Sequence, residues 1–167
     1  MLSLSAWGAT ACSRLKFILP KAKLSPQELK KALISAGFEV YRTKSDEIML
    51  ADRVRDNLIL DSGVRISANG ADEVRVNLIM GIRHTQYPGE DEQALFERVR
   101  SLAGPLLESG FAEMGTGQSP VTDPSDATKT LDIFFDVTFG KNEASFEAAL
   151  PALKVALEVA KTAESRH

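Results

Sequence analysis

Cysteine is nearly missing from this 167-residue chain: Cys12 stands alone, which excludes an internal disulfide framework and any cysteine-rich zinc site. A lone thiol fits a reducing, cytoplasmic setting. Arg14 and Lys16 lie close to it, but no helix terminus or cluster of cations marks it as activated, and it reads as a bystander. Histidine is nearly as scarce, with His84 inside the chain and His167 at its end, so a histidine-built metal centre has no donor set. No apolar run approaches the ~18 residues needed to span a bilayer. An excess of basic residues is also missing. Twenty Lys and Arg against twenty-three Asp and Glu give a formal charge of −3, and they are interspersed, which disfavours binding to a phosphate backbone.

What remains is ordinary globular composition, 44% hydrophobic and 26% charged, in a length suited to one domain. Residues 1–13 read as a flexible arm. They lack a basic n-region, and Ser3, Ser5 and Gly8 break their apolar stretch, so Ala9-Thr10-Ala11-Cys12 is a poor export signal. Residues 14–163 read as a single α+β domain, and 164–167 as a tail.

The clearest pattern is an echo. Leu33-Ile34-Ser35-Ala36-Gly37-Phe38 and Leu106-Leu107-Glu108-Ser109-Gly110-Phe111 each bring a helix-period apolar stretch to Gly-Phe. Glycine takes the left-handed conformation after a helix without a Cβ clash, and the apolar residue beyond it folds back on the last turn. Ser25, Pro26 and Glu28 supply a capping box and a first-turn proline for the first helix, with Leu29, Ala32, Leu33 and Ala36 as its stripe. Glu90-Asp91-Glu92 opens the second, whose stripe is Leu95, Phe96, Val99, Leu102 and Leu106 and which should bend at Gly104-Pro105.

Between these helices the period falls to two. Leu15, Phe17 and Leu19 alternate before the first helix; Val40–Thr43, Glu47–Ala51, Asn57–Asp61 and Val64–Ala68 follow it as short extended runs. Asn69-Gly70 predicts a tight hairpin that pairs Val64, Ile66 and Ala68 with Val74, Val76, Leu78, Met80 and Ile82, and Asp61-Ser62-Gly63 predicts a further turn. Ala112–Met114 can be extended. Residues 115–130, rich in Gly, Ser, Thr, Pro and Asp, predict a mobile loop. Leu131, Ile133, Phe135, Val137 and Phe139 alternate as a strand, and a last helix runs from Glu143 to Ala163, interrupted or kinked at Pro151. The sum is an antiparallel sheet with about three helices on one side, in which Leu15–Ala51 and Val74–Phe139 can be read as a βαββ pseudo-repeat.

No constellation of catalytic residues appears. His84 has no orienting partner or nucleophile nearby and reads first as a strand-end residue bonded to a loop. Gly115-Thr116-Gly117-Gln118-Ser119 lacks the lysine and following helix of a phosphate loop. Asp132 and Asp136 share one strand face, where cross-strand pairing with Arg75 and Arg83 is the plainer account. Ile79 and Phe134 fall on these same polar faces, as Ile18 does on its own run, and apolar residues on a wet face mark a docking surface.

The order of elements resembles the type III secretion chaperone-like superfamily, including the YbjN-like bacterial proteins, over Leu29–Tyr41, Val74–His84 and Leu131–Lys161. That resemblance implies a small acidic cytoplasmic protein, often dimeric, that binds another polypeptide and has no catalytic residues. The leading strand at Arg14–Leu19, the short strands around Asp61 and the 115–130 segment depart from the family's simplest form. The expected function is therefore a non-enzymatic protein-binding or chaperone-like module that acts through a sheet face or edge and self-associates. No cofactor, metal, nucleic acid or membrane is expected, and Ile79, Met80, Arg83 and Phe134 are the expected contact residues. The alternative is a small-molecule sensor or small enzyme with a pocket between sheet and helices near His84.

Overall fold

The structure, a computed structural model, describes residues 24–55 and 58–164. The expected arm, the leading strand at Arg14–Leu19, Cys12, Ile18, Asn57 and residues 165–167 of the C-terminal tail, His167 among them, lie outside the described residues, while Glu164 ends the last helix. The elements run α1 (Pro26–Ser35), β1 (Val40–Lys44), β2 (Glu47–Arg55), β3 (Leu58–Ala68), β4 (Val74–Arg83), α2 (Glu92–Leu102), α3 (Gly104–Glu108), β5 (Ala112–Asp123), β6 (Asp126–Glu143) and α4 (Phe146–Glu164). The fold is α+β: one six-stranded antiparallel sheet in the order β1-β2-β3-β4-β6-β5.

Both Gly-Phe stops form as the sequence predicts. Gly37 and Gly110 have φ of 87° and 85°. The Phe38 and Phe111 amides reach back to the carbonyls of Leu33 and Leu106 at 3.0 and 3.1 Å, while Gly37 and Gly110 bond Ile34 and Leu107, which is the paired bonding of a Schellman motif. Each stop delivers the chain to an outer edge of the sheet, β1 on one side and β5 on the other. The halves then differ. β6 lies between β5 and β4, the strand before α2, whereas the place beyond β2 is filled by β3. The Ser25–Glu28 capping box closes α1, and the bend expected at Pro105 is a full break between α2 and α3.

Strand parity puts Ile48, Leu50, Val64, Ile66, Val76, Leu78, Met80, Ile82, Phe135, Val137 and Phe139 on one face, where they are buried under the helices. α1 covers β1–β3, α4 runs under β3 and β4, and α2 packs on β4 and β6. Pro151 lies inside α4 without ending it.

Three expectations need correction. Residues 115–130 are not a loop: β5 and β6 form the two longest strands of the described chain, paired from Ala112↔Gly140 to Asp123↔Asp126. Their main-chain hydrogen bonds take the place of apolar burial, and the Ser125 and Thr128 amides donate to the Asp123 and Asp126 carboxylates in Asx-type bonds that close the tip. Asp61-Ser62-Gly63 is not a turn between strands but a bulge inside β3. Asn69-Gly70 does begin a hairpin, but the loop has five residues and closes through Asn69 N–H to the Glu73 carbonyl at 2.8 Å.

Candidate docking cleft

The bulge in β3 makes the most distinctive feature of the surface. Met49 pairs with Arg65 and Ala51 with Asp61, so Ser62, Gly63 and Val64 stand opposite Leu50 alone. The Ser62 hydroxyl donates to the Leu50 carbonyl at 2.8 Å and accepts from the Val64 amide at 3.1 Å; Asp61 accepts from the Gly63 amide at 3.0 Å. Arg65, almost wholly buried, grips both Asp61 carboxylate oxygens at 2.6 Å. Gly63 takes φ +80°, and a β-carbon there would stand 2.4 Å from the Ile79 carbonyl oxygen, so only glycine fits.

Beyond this bulge β3 stays with β2 and leaves β4. The β3–β4 register ends at Val64↔Leu78, while β4 continues to Arg83 with β6 on its other side. Alternate residues of β4 direct their main-chain groups to opposite neighbours. The Ile79 carbonyl points toward Gly63, which sets Ile79, Gly81 and Arg83 facing the gap. The Arg83 amide is satisfied there by the Gln86 side chain at 2.8 Å. Gly81, between them, has no β3 residue opposite it.

The gap is a cleft of about 470 Å³ whose lining includes Asp61, Gly63, Gly81, Gln86 and, from α4, Ala160 and Ala163. Two hairpins flank its mouth, since β3 before Val64 and β6 before Phe134 both extend past the same end of the sheet. Of the ten exposed large hydrophobic residues among the described residues, six gather at this end: Leu58, Ile59, Leu60, Ile79, Leu131 and Ile133. Such concentration is what sets a docking surface apart from scattered apolar exposure.

All four expected contact residues line the cleft. Ile79 is exposed, Phe134 half-buried, Arg83 exposed and Met80 buried, as befits a wall residue. The Phe134 ring leans across Gly81, whose missing side chain makes the room. His84 lies apart. It is exposed in a 3-10 turn over His84–Gln86, edge-on to Phe135 at 6.1 Å, and outside the cleft lining.

The two aspartates on this sheet face have different environments and form no close ion pair with Arg75 or Arg83, although the Arg83 charge does favour the ionised Asp132. Asp132 accepts from the Thr85 hydroxyl and from the Thr85 amide, tying the turn to β6, and these bonds hold its carboxyl below the usual range. Asp136 lies against Gly117, and partial burial pushes its carboxyl up. Arg75 donates to Asn142 at 2.8 Å instead. The register explains this, because β6 sets Asn142 and Phe134, not the aspartates, opposite Arg75 and Arg83.

Gly115–Ser119 lies within β5, with no helix following it. Among the described residues no group of three metal-ligating side chains converges, and no helix is long and apolar enough to cross a membrane. The chain matches no protein-family model, no curated protein and no solved structure.

Proposed function

We propose that this chain is a non-enzymatic binding module that receives an extended segment of another polypeptide in the cleft between β3 and β4. The observation that carries the reading is the edge of β4 at Ile79–Arg83, which lies at the base of a cleft with apolar residues around its mouth. A strand added there would exchange main-chain hydrogen bonds with Gly81 and place alternate side chains on opposite sides. Those on the α4 side would meet Met80, Ala160 and Ala163, where small residues leave room for a large apolar group. Those on the other side would meet Ile79, Phe134 and the Arg83 guanidinium. The preferred segment therefore alternates apolar residues with small or acidic ones.

A polypeptide-binding role in the cytoplasm is also what the chaperone-like resemblance implies, and the single cysteine suits that compartment. The small-molecule alternative places its pocket between sheet and helices near His84; the exposed His84 ring itself lies outside the cleft lining, which Arg83 and Gln86 join.

The test is selection of displayed ten-residue peptides on the wild-type chain, followed by affinity measurement against Ile79→Glu and Arg83→Glu. Enrichment of alternating sequences that lose at least ~10-fold in affinity to either variant supports the reading, a loss of about 1.4 kcal/mol. Absence of enrichment, or peptides indifferent to both substitutions, contradicts it.

A further inference from the structure

The sheet has two outer edges, and they are built differently. β1 is a five-residue strand carrying Arg42 and Lys44, broken by a register irregularity between Val40 and Arg42. Short length, charge and irregularity are devices that keep an edge from pairing with another chain. β5 has twelve residues, and from Met114 to Thr122 it carries no charge at all. Its flanking carboxylates are already engaged: Glu113 by Arg100 at 2.8 Å and Asp123 by Lys129 at 3.9 Å.

The direction of the β5 main-chain groups follows from its neighbours. The Phe135 carbonyl oxygen faces Gly81 of β4, so Phe134, Asp136 and Thr138 turn their main-chain groups to β5. Their register partners Ser119, Gly117 and Gly115 face inward. Thr116 and Gln118 then present N–H and C=O groups at the outer edge, and Pro120, which has no N–H to donate, falls in the same outward set.

We propose that the β5 edges of two copies of this chain pair antiparallel about Gly117, joining their six-stranded sheets into one continuous sheet. Thr116 of each copy stands opposite Gln118 of the other, and each pair exchanges two hydrogen bonds. Gly115 meets Ser119 and Gly117 meets Gly117, so nothing bulky opposes the approach.

Proline and the extent of the regular stretch set this register. Centring the pair on Gln118 would place Thr116 opposite Pro120, which has no N–H to exchange. Centring it on Thr116 would bring Met114 into the ladder, where the strand is irregular between Glu113 and Gly115. Centring on Gly117 confines the ladder to the regular stretch from Gly115 to Ser119, and Pro120 falls opposite Met114, outside the two bonded pairs. The surface is distinct from the β3–β4 cleft, so either proposal can fail without the other.

Sedimentation and amide exchange test it together. The wild-type chain should sediment at twice its 18.2 kDa mass. The variant T116K/Q118K, which opposes lysines across the pair, should weaken the dimer at least ~5-fold, and T116E/Q118K, which opposes glutamate to lysine in this register only, should hold it. Both positions are exposed, and if T116K/Q118K fails to fold, the wild-type amides of Thr116 and Gln118 decide: protection that rises with concentration supports the pairing. A monomer at every concentration, a dimer untouched by T116K/Q118K, or one weakened equally by both charge patterns overturns it.

Discussion

The ring of Phe134 occupies the space that a side chain at residue 81 would need: a β-carbon on Gly81 would stand 2.4 Å from the ring and 2.5 Å from the Phe135 carbonyl oxygen. This packing ties β4 to β6 and lays an aromatic wall beside the free edge of β4. Gly81→Ala should therefore cost about 1–3 kcal/mol, as overpacking does. Phe134→Ala in the same chain should recover only part of that loss, because the carbonyl remains in the way. Denaturant unfolding of the two single variants and the double variant measures the coupling, and a neutral Gly81→Ala would contradict the geometry.

Two glycines of the same left-handed backbone should respond unequally to alanine. Gly37 has φ +87° and open space out to 4 Å around the position a β-carbon would take, so Gly37→Ala should cost only the ~1–2 kcal/mol of left-handed strain. Gly63 has φ +80° and the Ile79 carbonyl 2.4 Å from that position, so Gly63→Ala should add a steric cost and reach about 3 kcal/mol or more. Equal losses in urea unfolding would show that β3 does not pass β4 this closely.

These two glycines also show what the sequence discloses. Gly37 is legible because its signal is local: a helix-period stripe, a glycine, then Phe38. Gly63 is not, because Asp61 does form the local bond of a turn, to the Gly63 amide, while the strand simply continues past it. The hairpin of β5 and β6 escapes a sequence reading for a related reason. Its small polar residues are mostly exposed, so the strand leaves no apolar alternation to read and is held by its register with β6. Ile79, Arg83 and Phe134 stand out by parity on a polar face, yet the cleft that unites them depends on where β3 leaves β4, a long-range event with no motif of its own.

Asp136 gives a pH dependence with a definite sign. Burial raises its folded-state pKa above the ordinary value, so the folded form holds its proton more tightly than the unfolded form, and the ionised carboxylate opposes folding at neutral pH. Asp136→Asn should melt higher than wild type at pH 7. The difference should shrink as acid protonates the wild-type carboxyl and be gone below roughly pH 4, the range of an unperturbed aspartate. Thermal melts of both proteins across that range check it, and a gain that grows toward acid would be the wrong sign.

Asp61 and Arg65 hold the bulge as a pair more than as individuals. Asp61→Ala leaves the buried Arg65 guanidinium without its carboxylate and should cost about 2–4 kcal/mol, somewhat below a fully buried pair because Asp61 is one-third exposed. Adding Arg65→Met removes the stranded charge and should return part of that stability. Chemical unfolding of both variants decides; a double variant less stable than Asp61→Ala alone would contradict the pairing.

The central claim is that the edge of β4 at Gly81 is open and takes up an added strand, and amide hydrogen exchange at single residues reads it directly. In the free chain the amides of Leu78, Met80 and Ile82, turned toward β6, should exchange slowly, and that of Gly81 should exchange much faster. A peptide recovered by selection on the wild-type chain should slow Gly81 and leave the other three unchanged. A Gly81 amide already as protected as its neighbours in the free chain, or one that stays fast with peptide bound, would contradict the account.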